Sequence, residues 1–154
     1  MGASALTSLD DFLSGVTSLG LDTAPIIYLI EEHPRYGPLA GAVFERIAAG
    51  QVQAITSVIT LGEVLVQPYQ NGSEPLARAY QDLLLNSDHL QTLPIEASAA
   101  VRAAALRARY RLRMPDALQI AVALESGCQA FLTNDAQLKR VDAIRVLLLD
   151  DLAS

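Results

Sequence analysis

Short continuous apolar runs alternate along this chain with segments of helical spacing, and no tight two-residue hairpin signal interrupts them. The apolar runs end at Asp22 (from Val16) and span 52–56, 90–95, 130–133 and 144–149. Helical patterns fill the intervals, at 25–32, 39–49, 61–67, 75–85, 96–110 and 116–125, with a short turn from Asn134-Asp135 to Arg140. His33-Pro34, Gly37-Pro38, Gly50, Pro68 and Gly127 punctuate them. Strands joined through helices, and apolar on both faces, predict a parallel sheet covered on both sides. Residues 6–13 carry Leu6, Leu9, Phe12 and Leu13 at helical spacing, so residues 1–15 read as a short N-terminal helical extension and 16–154 as one α/β domain.

Composition removes several classes. With 51% hydrophobic and 18% charged residues, 154 residues can bury a real core. No apolar run reaches the roughly 18 residues of a membrane span. The first fifteen residues hold Asp10 and Asp11 and no Lys or Arg, unlike the basic start of a signal peptide. Cys128 is the single cysteine and has no disulfide partner, so a reducing cytoplasm is the expected location, with no membrane association. His33 and His89 are the only histidines, which argues against a Cys/His zinc site or a Cys-His nucleophile. Glycine-rich dinucleotide, Walker and serine-elbow motifs are absent. A net charge of −6 disfavours nucleic-acid binding by bulk attraction, but not contact bridged by cations.

Four carboxylates carry the functional reading. Asp22 ends the first apolar run, and Asp22-Thr23-Ala24-Pro25 reads as a helix start with Pro in the first turn. Glu63 opens the helix after the second run, Asp116 follows Pro115 at another helix start, and Asp135 follows the fourth run. Each also has a structural reading, since helix N-termini favour acidic side chains by roughly 0.3–1 kcal/mol. Thr60-Leu61-Gly62-Glu63 matches a capping box. In a parallel sheet, helix starts that follow strands share the carboxyl edge, where ligands bind. Asp22, Glu63 and Asp135 converge by that rule. Asp116 stands between two helices, so topology alone does not bring it there. Clustered carboxylates raise one another's pKa unless neutralised, and no Lys stands beside any of them. Mg²⁺ or Mn²⁺ would neutralise them, take phosphate oxygens as further ligands and activate a water.

At these residues the chain resembles PIN-domain ribonucleases of the VapC toxin type and their stand-alone relatives. The matching pieces are Leu21-Asp22-Thr23, Gly62-Glu63-Val64-Leu65, Met114 to Ala121 (MPDALQIA) and Leu132-Thr133-Asn134-Asp135, in the family's order. The resemblance covers about 16–150. It implies a three-layer α/β/α fold with a central, mostly parallel sheet, and 16–154 as a PIN-like nuclease domain. It implies Mg²⁺- or Mn²⁺-dependent endonucleolytic cleavage of RNA. Asp22, Glu63, Asp116 and Asp135 would be catalytic metal ligands, and Thr133 would orient the site. It also implies an antitoxin partner and a homodimer. Ala24, where the family often has a small polar residue, departs from the pattern.

Arg102, Arg107, Arg109, Arg111 and Arg113 precede Asp116; helical geometry scatters them, and Arg113 is the best candidate for a nucleic-acid contact. Tyr28, Phe44, Tyr80, Tyr110 and Phe131 read as packing residues. Two rival functions stay open: a catalytically silent PIN-fold interaction module, and an aspartate-dependent phosphatase or phospho-acceptor domain. The second lacks the further Asp two residues after Asp22 that an aspartyl-phosphate phosphatase motif carries.

Overall fold

A computed structural model of the chain describes residues 6–153. Five strands form one all-parallel sheet: β1 (Ser18–Leu21), β2 (Gln53–Ser57), β3 (Leu90–Leu93), β4 (Ala130–Thr133) and β5 (Arg145–Leu148). Their spatial order is β3-β2-β1-β4-β5. The chain therefore builds outward from β1 on one side and then returns to build on the other. The carboxyl end of β1 is the point where connections diverge, and a crevice opens there.

Among the described residues, seven α-helices cover the sheet: α1 (Leu9–Phe12), α2 (Thr23–Ile30), α3 (Tyr36–Ala48), α4 (Val58–Gln70), α5 (Glu74–Asn86), α6 (Ala97–Tyr110) and α7 (Met114–Glu125). The period-2 alternation of strands divides the core. Leu19, Leu21, Ala54, Ala130, Leu132 and Leu147 face α1 to α5, while Ile55, Phe131 and Val146 face α6 and α7. The result is the three-layer α/β/α arrangement with a parallel sheet. Gly20 lies where α7 crosses β1 most closely, and a Cβ there would stand 2.7 Å from the Ala123 Cβ. Among the described residues no helix is long and apolar enough to cross a membrane.

Several boundaries differ from the sequence reading. The helix expected at 6–13 shrinks to α1: Ser8 caps it, and Thr7 instead bridges to Leu152. Residues 1–5 of the expected extension lie outside the described residues. Phe12 and Leu13 are buried in the main core, and Arg145 Nη1 donates to the Ser14 carbonyl at 2.6 Å. The helix after β1 starts at Thr23, because Asp22 itself caps it. Gly37-Pro38 does not end a helix; it sits in the first turn of α3, where proline loses no bond. His33 Nδ1 accepts the Arg35 and Tyr36 amides there. The helix expected at 61–67 is α4, begun at Val58 by the Ser57 cap and carried past Pro68 to Gln70. Pro68 removes one bond near the end, and the Asn71 amide still closes the last turn on the Gln67 carbonyl.

Candidate active site

Asp22 stands at the crevice. Strand pairing delivers it: its N–H donates to the Leu132 carbonyl, continuing the β1–β4 ladder by one residue. Its Oδ1 accepts the Thr23 amide at 2.8 Å and so caps α2; its Oδ2 accepts Thr133 Oγ1 at 2.8 Å. The side chain is half-buried. Burial pushes its carboxyl above the ordinary carboxylate range. The Thr133 and Thr23 hydrogen bonds pull the other way, and the nearby charges of Asp116 and Glu63 push it up further. The charges of Glu63 on α4 and Asp116 on α7 therefore both reach Asp22, just past the end of β1, at this sheet edge.

Glu63 lies in the second turn of α4, one turn further along than expected. The capping box does not form. Ser57 caps this helix through the Ile59 amide, and Glu63 Oε1 instead accepts Thr23 Oγ1 at 2.6 Å, tying α4 to α2. Asp116 is the third residue of α7 rather than its first, behind Arg113 at the cap position. Its side chain is 16% exposed and pairs with Arg113 Nε at 3.3 Å. Arg113 is itself largely open to solvent, so this pair contributes little stability. Asp135 caps the short 3-10 turn Ala136–Arg140 through the Gln137 amide, and its own N–H donates to Thr133 Oγ1 at 3.1 Å. Thr133 thus bridges Asp135 to Asp22. Asp116 and Asp135 share a cleft of about 190 Å³ with Arg111, Arg113 and Arg140. Of the other arginines, Arg102 pairs with Glu125 and Arg109 with Asp142, away from this cleft.

Beside the carboxylates lies a buried polar layer of which sequence reading named only Thr133 for the site. The buried polar residues among those described are Thr56, Ser57, Thr60, Gln119 and Thr133, and all five belong to this region. Thr56 donates to the Leu21 carbonyl, Thr56 and Thr60 share a hydrogen bond, and Gln119 joins Ser57, Thr60 and Thr23. No buried side-chain nitrogen or oxygen among the described residues is left unpaired. The available signal was polar residues placed inside otherwise apolar elements, at the end of β2 and in the middle of α7.

The donor chemistry fits a hard divalent cation: all carboxylate oxygen, no imidazole or thiolate. Each carboxylate keeps lone pairs beyond the hydrogen bonds it accepts. Among the described residues, however, no three such groups are already closed into an ion-holding cluster.

Comparison with known proteins agrees with this fold. No curated protein sequence matches the chain. Among solved structures, VapBC2 from Rickettsia felis, bound to a promoter DNA fragment, superposes with a TM-score of 0.68 at 19% identity. That match covers 84% of this chain and 96% of the other. A toxin-antitoxin complex from Klebsiella pneumoniae gives 0.65 at 24% identity, over 86% and 97%. The Mycobacterium tuberculosis toxin VapC20, described as cleaving the sarcin-ricin loop, gives 0.58 at 19% identity, over 74% and 86%. The PIN domain family model matches residues 20–144, from the strand that presents Asp22 to the last turn before β5, and the chain belongs to the PIN domain family.

Proposed function

We propose that this protein is a Mg²⁺- or Mn²⁺-dependent endoribonuclease, the toxin of a toxin-antitoxin pair. The observation that carries the reading is that Glu63, tied to the start of α2 through Thr23, and Asp116 on α7 both bring their charge to Asp22 at the carboxyl edge of the sheet. Asp22, Glu63, Asp116 and Asp135 are the residues that would hold the metal. A bound divalent cation supplies Lewis-acid polarisation of a phosphodiester and lowers the pKa of a water. The chain's own residues set the frame. Thr133 holds the Asp22 carboxylate by one oxygen while the α2 N-terminus holds the other. Thr23 aims Glu63 at the same edge. Arg113 offers a guanidinium beside Asp116, suited to a phosphate of the RNA backbone. The neighbours' toxin-antitoxin character brings a separate antitoxin chain into the reading. A homodimer belongs to it as well, and light scattering of the purified chain tests that.

The direct test combines metal binding and cleavage. Thermal unfolding is run with EDTA, Mg²⁺ and Mn²⁺, beside Asp116→Ala. A cation at a hundredfold excess over its dissociation constant should stabilise the parent by about 2.7 kcal/mol, and the variant much less. Asp22→Asn and Asp116→Asn should each lower RNA cleavage by at least about a hundredfold, beyond the usual loss of an outer-shell partner. Full activity in both variants, or no metal-dependent stabilisation in the parent, overturns the proposal and favours a silent interaction module.

A further inference from the structure

Gln119 lies in the middle of α7, is 3% exposed, and hydrogen-bonds to Ser57, Thr60 and Thr23 rather than to a carboxylate. Its hydrogen bonds nevertheless lead to one of the carboxylates. Oε1 accepts Ser57 Oγ, and Nε2 approaches Thr60 Oγ1 at 2.6 Å and Thr23 Oγ1 at 3.4 Å. Thr56 Oγ1 uses its proton on the Leu21 carbonyl at 2.8 Å, so the 2.8 Å contact between Thr56 and Thr60 takes its proton from Thr60. Each hydroxyl has only one proton to give. Thr60 must therefore accept from Gln119. Thr23 gives its proton to Glu63 at 2.6 Å and must likewise accept. The reverse amide orientation would ask Thr60 to donate to both Gln119 and Thr56, leaving one close oxygen pair with no proton. One arrangement alone gives every contact of Gln119 and every hydroxyl contact of 2.8 Å or less a proton: Ser57 to Gln119, Gln119 to Thr60 and Thr23, Thr23 to Glu63; the longer 3.3 Å approach of the Thr23 and Thr60 hydroxyls then carries none.

We propose that Gln119, anchored by Ser57, is a positioning residue that fixes the Thr23 hydroxyl as a one-way donor and thereby holds the Glu63 carboxylate at the site. The inference rests on the metal-site reading above. The amide supplies two protons and no competing acceptor toward Thr23, so the hydroxyl cannot turn away from Glu63 without leaving a short contact unfilled. The orphaning of buried polar groups is strongly disfavoured, which makes the arrangement rigid. The relay spans the sheet's crevice, from the α7 face to the α2–α4 face.

The test is a double-mutant cycle on Mn²⁺ affinity, read by Mn²⁺ electron paramagnetic resonance and not by turnover. Gln119→Met keeps length and loses both donors; Thr23→Val loses the hydroxyl; Thr23→Ser retains it. Gln119→Met and Thr23→Val should each weaken Mn²⁺ binding by about 10- to 100-fold, the range seen for outer-shell partners. The double variant should be no weaker than Thr23→Val alone, and Thr23→Ser should bind like the parent. Additive losses, or unchanged affinity in a folded Gln119→Met, overturn the relay. If Gln119→Met does not fold, Ser57→Ala, which frees the same amide from its anchor, must weaken Mn²⁺ or the proposal fails. If the parent itself binds no Mn²⁺, the metal-site reading fails first and takes the relay with it.

Discussion

The surroundings of Asp22 disfavour its charged form. Because burial and two neighbouring carboxylates raise its pKa, the folded chain binds that proton more tightly than the unfolded chain. Stability from this group is greatest at low pH and declines as pH climbs from the ordinary carboxylate range through the raised value. Asp22→Asn removes the charge and keeps an oxygen to cap the Thr23 amide. In EDTA at pH 7 the variant should melt above the parent by calorimetry, with the gap closing as the pH falls into the ordinary carboxylate range. A variant that melts lower at neutral pH would contradict the burial argument. The carboxylates were legible in the sequence because acidic residues at strand ends and helix starts are a local pattern. The polar layer beside them, Thr133 apart, was not. Gln119 meets Thr60 across 59 positions and Thr23 across 96, and only the packed helices decide which faces meet.

Elements were legible in kind and order, and their edges were not. The Thr60-x-x-Glu63 pattern suggested a helix start, but Ser57 at the end of β2, three residues earlier, captures the Ile59 amide and leaves Thr60 inside the helix. Pro68 and Gly37-Pro38 were read as stops, although proline near either end of a helix breaks little. The close crossing of α7 over β1 was equally silent, since it depends on Gly20 and Ala123 facing each other. Gly20→Ala would put its methyl 2.7 Å from Ala123 Cβ and 3.0 Å from Phe131 Cδ1. Overpacking of this kind costs about 1–3 kcal/mol. Urea unfolding should show a lower midpoint at unchanged slope, and Ala123→Gly should restore part of the loss.

At the scale of the molecule, continuous apolar runs foretold the parallel sheet, because both faces are covered and neither needs polar alternation. The standing of the N-terminal segment was less evident. Its leucine and phenylalanine spacing gave a helix packed on the domain as an appendage, and Phe12 proves to sit in the same core as β1 and β4 at 3% exposure. Phe12→Ala should therefore lose about 3–5 kcal/mol by chemical denaturation, as a core position does and a loose appendage would not. The strand order has a temporal consequence as well. β1 pairs with β4, whose residues are synthesised more than a hundred positions later, and Asp116, Thr133 and Asp135 all come from the last third of the chain. A nascent chain, folding from its N-terminus as it emerges, holds Asp22 and Glu63 with an open strand edge beside them. On the proposed function, the polypeptide stays harmless to the messenger and ribosome that produce it until its own translation is nearly complete.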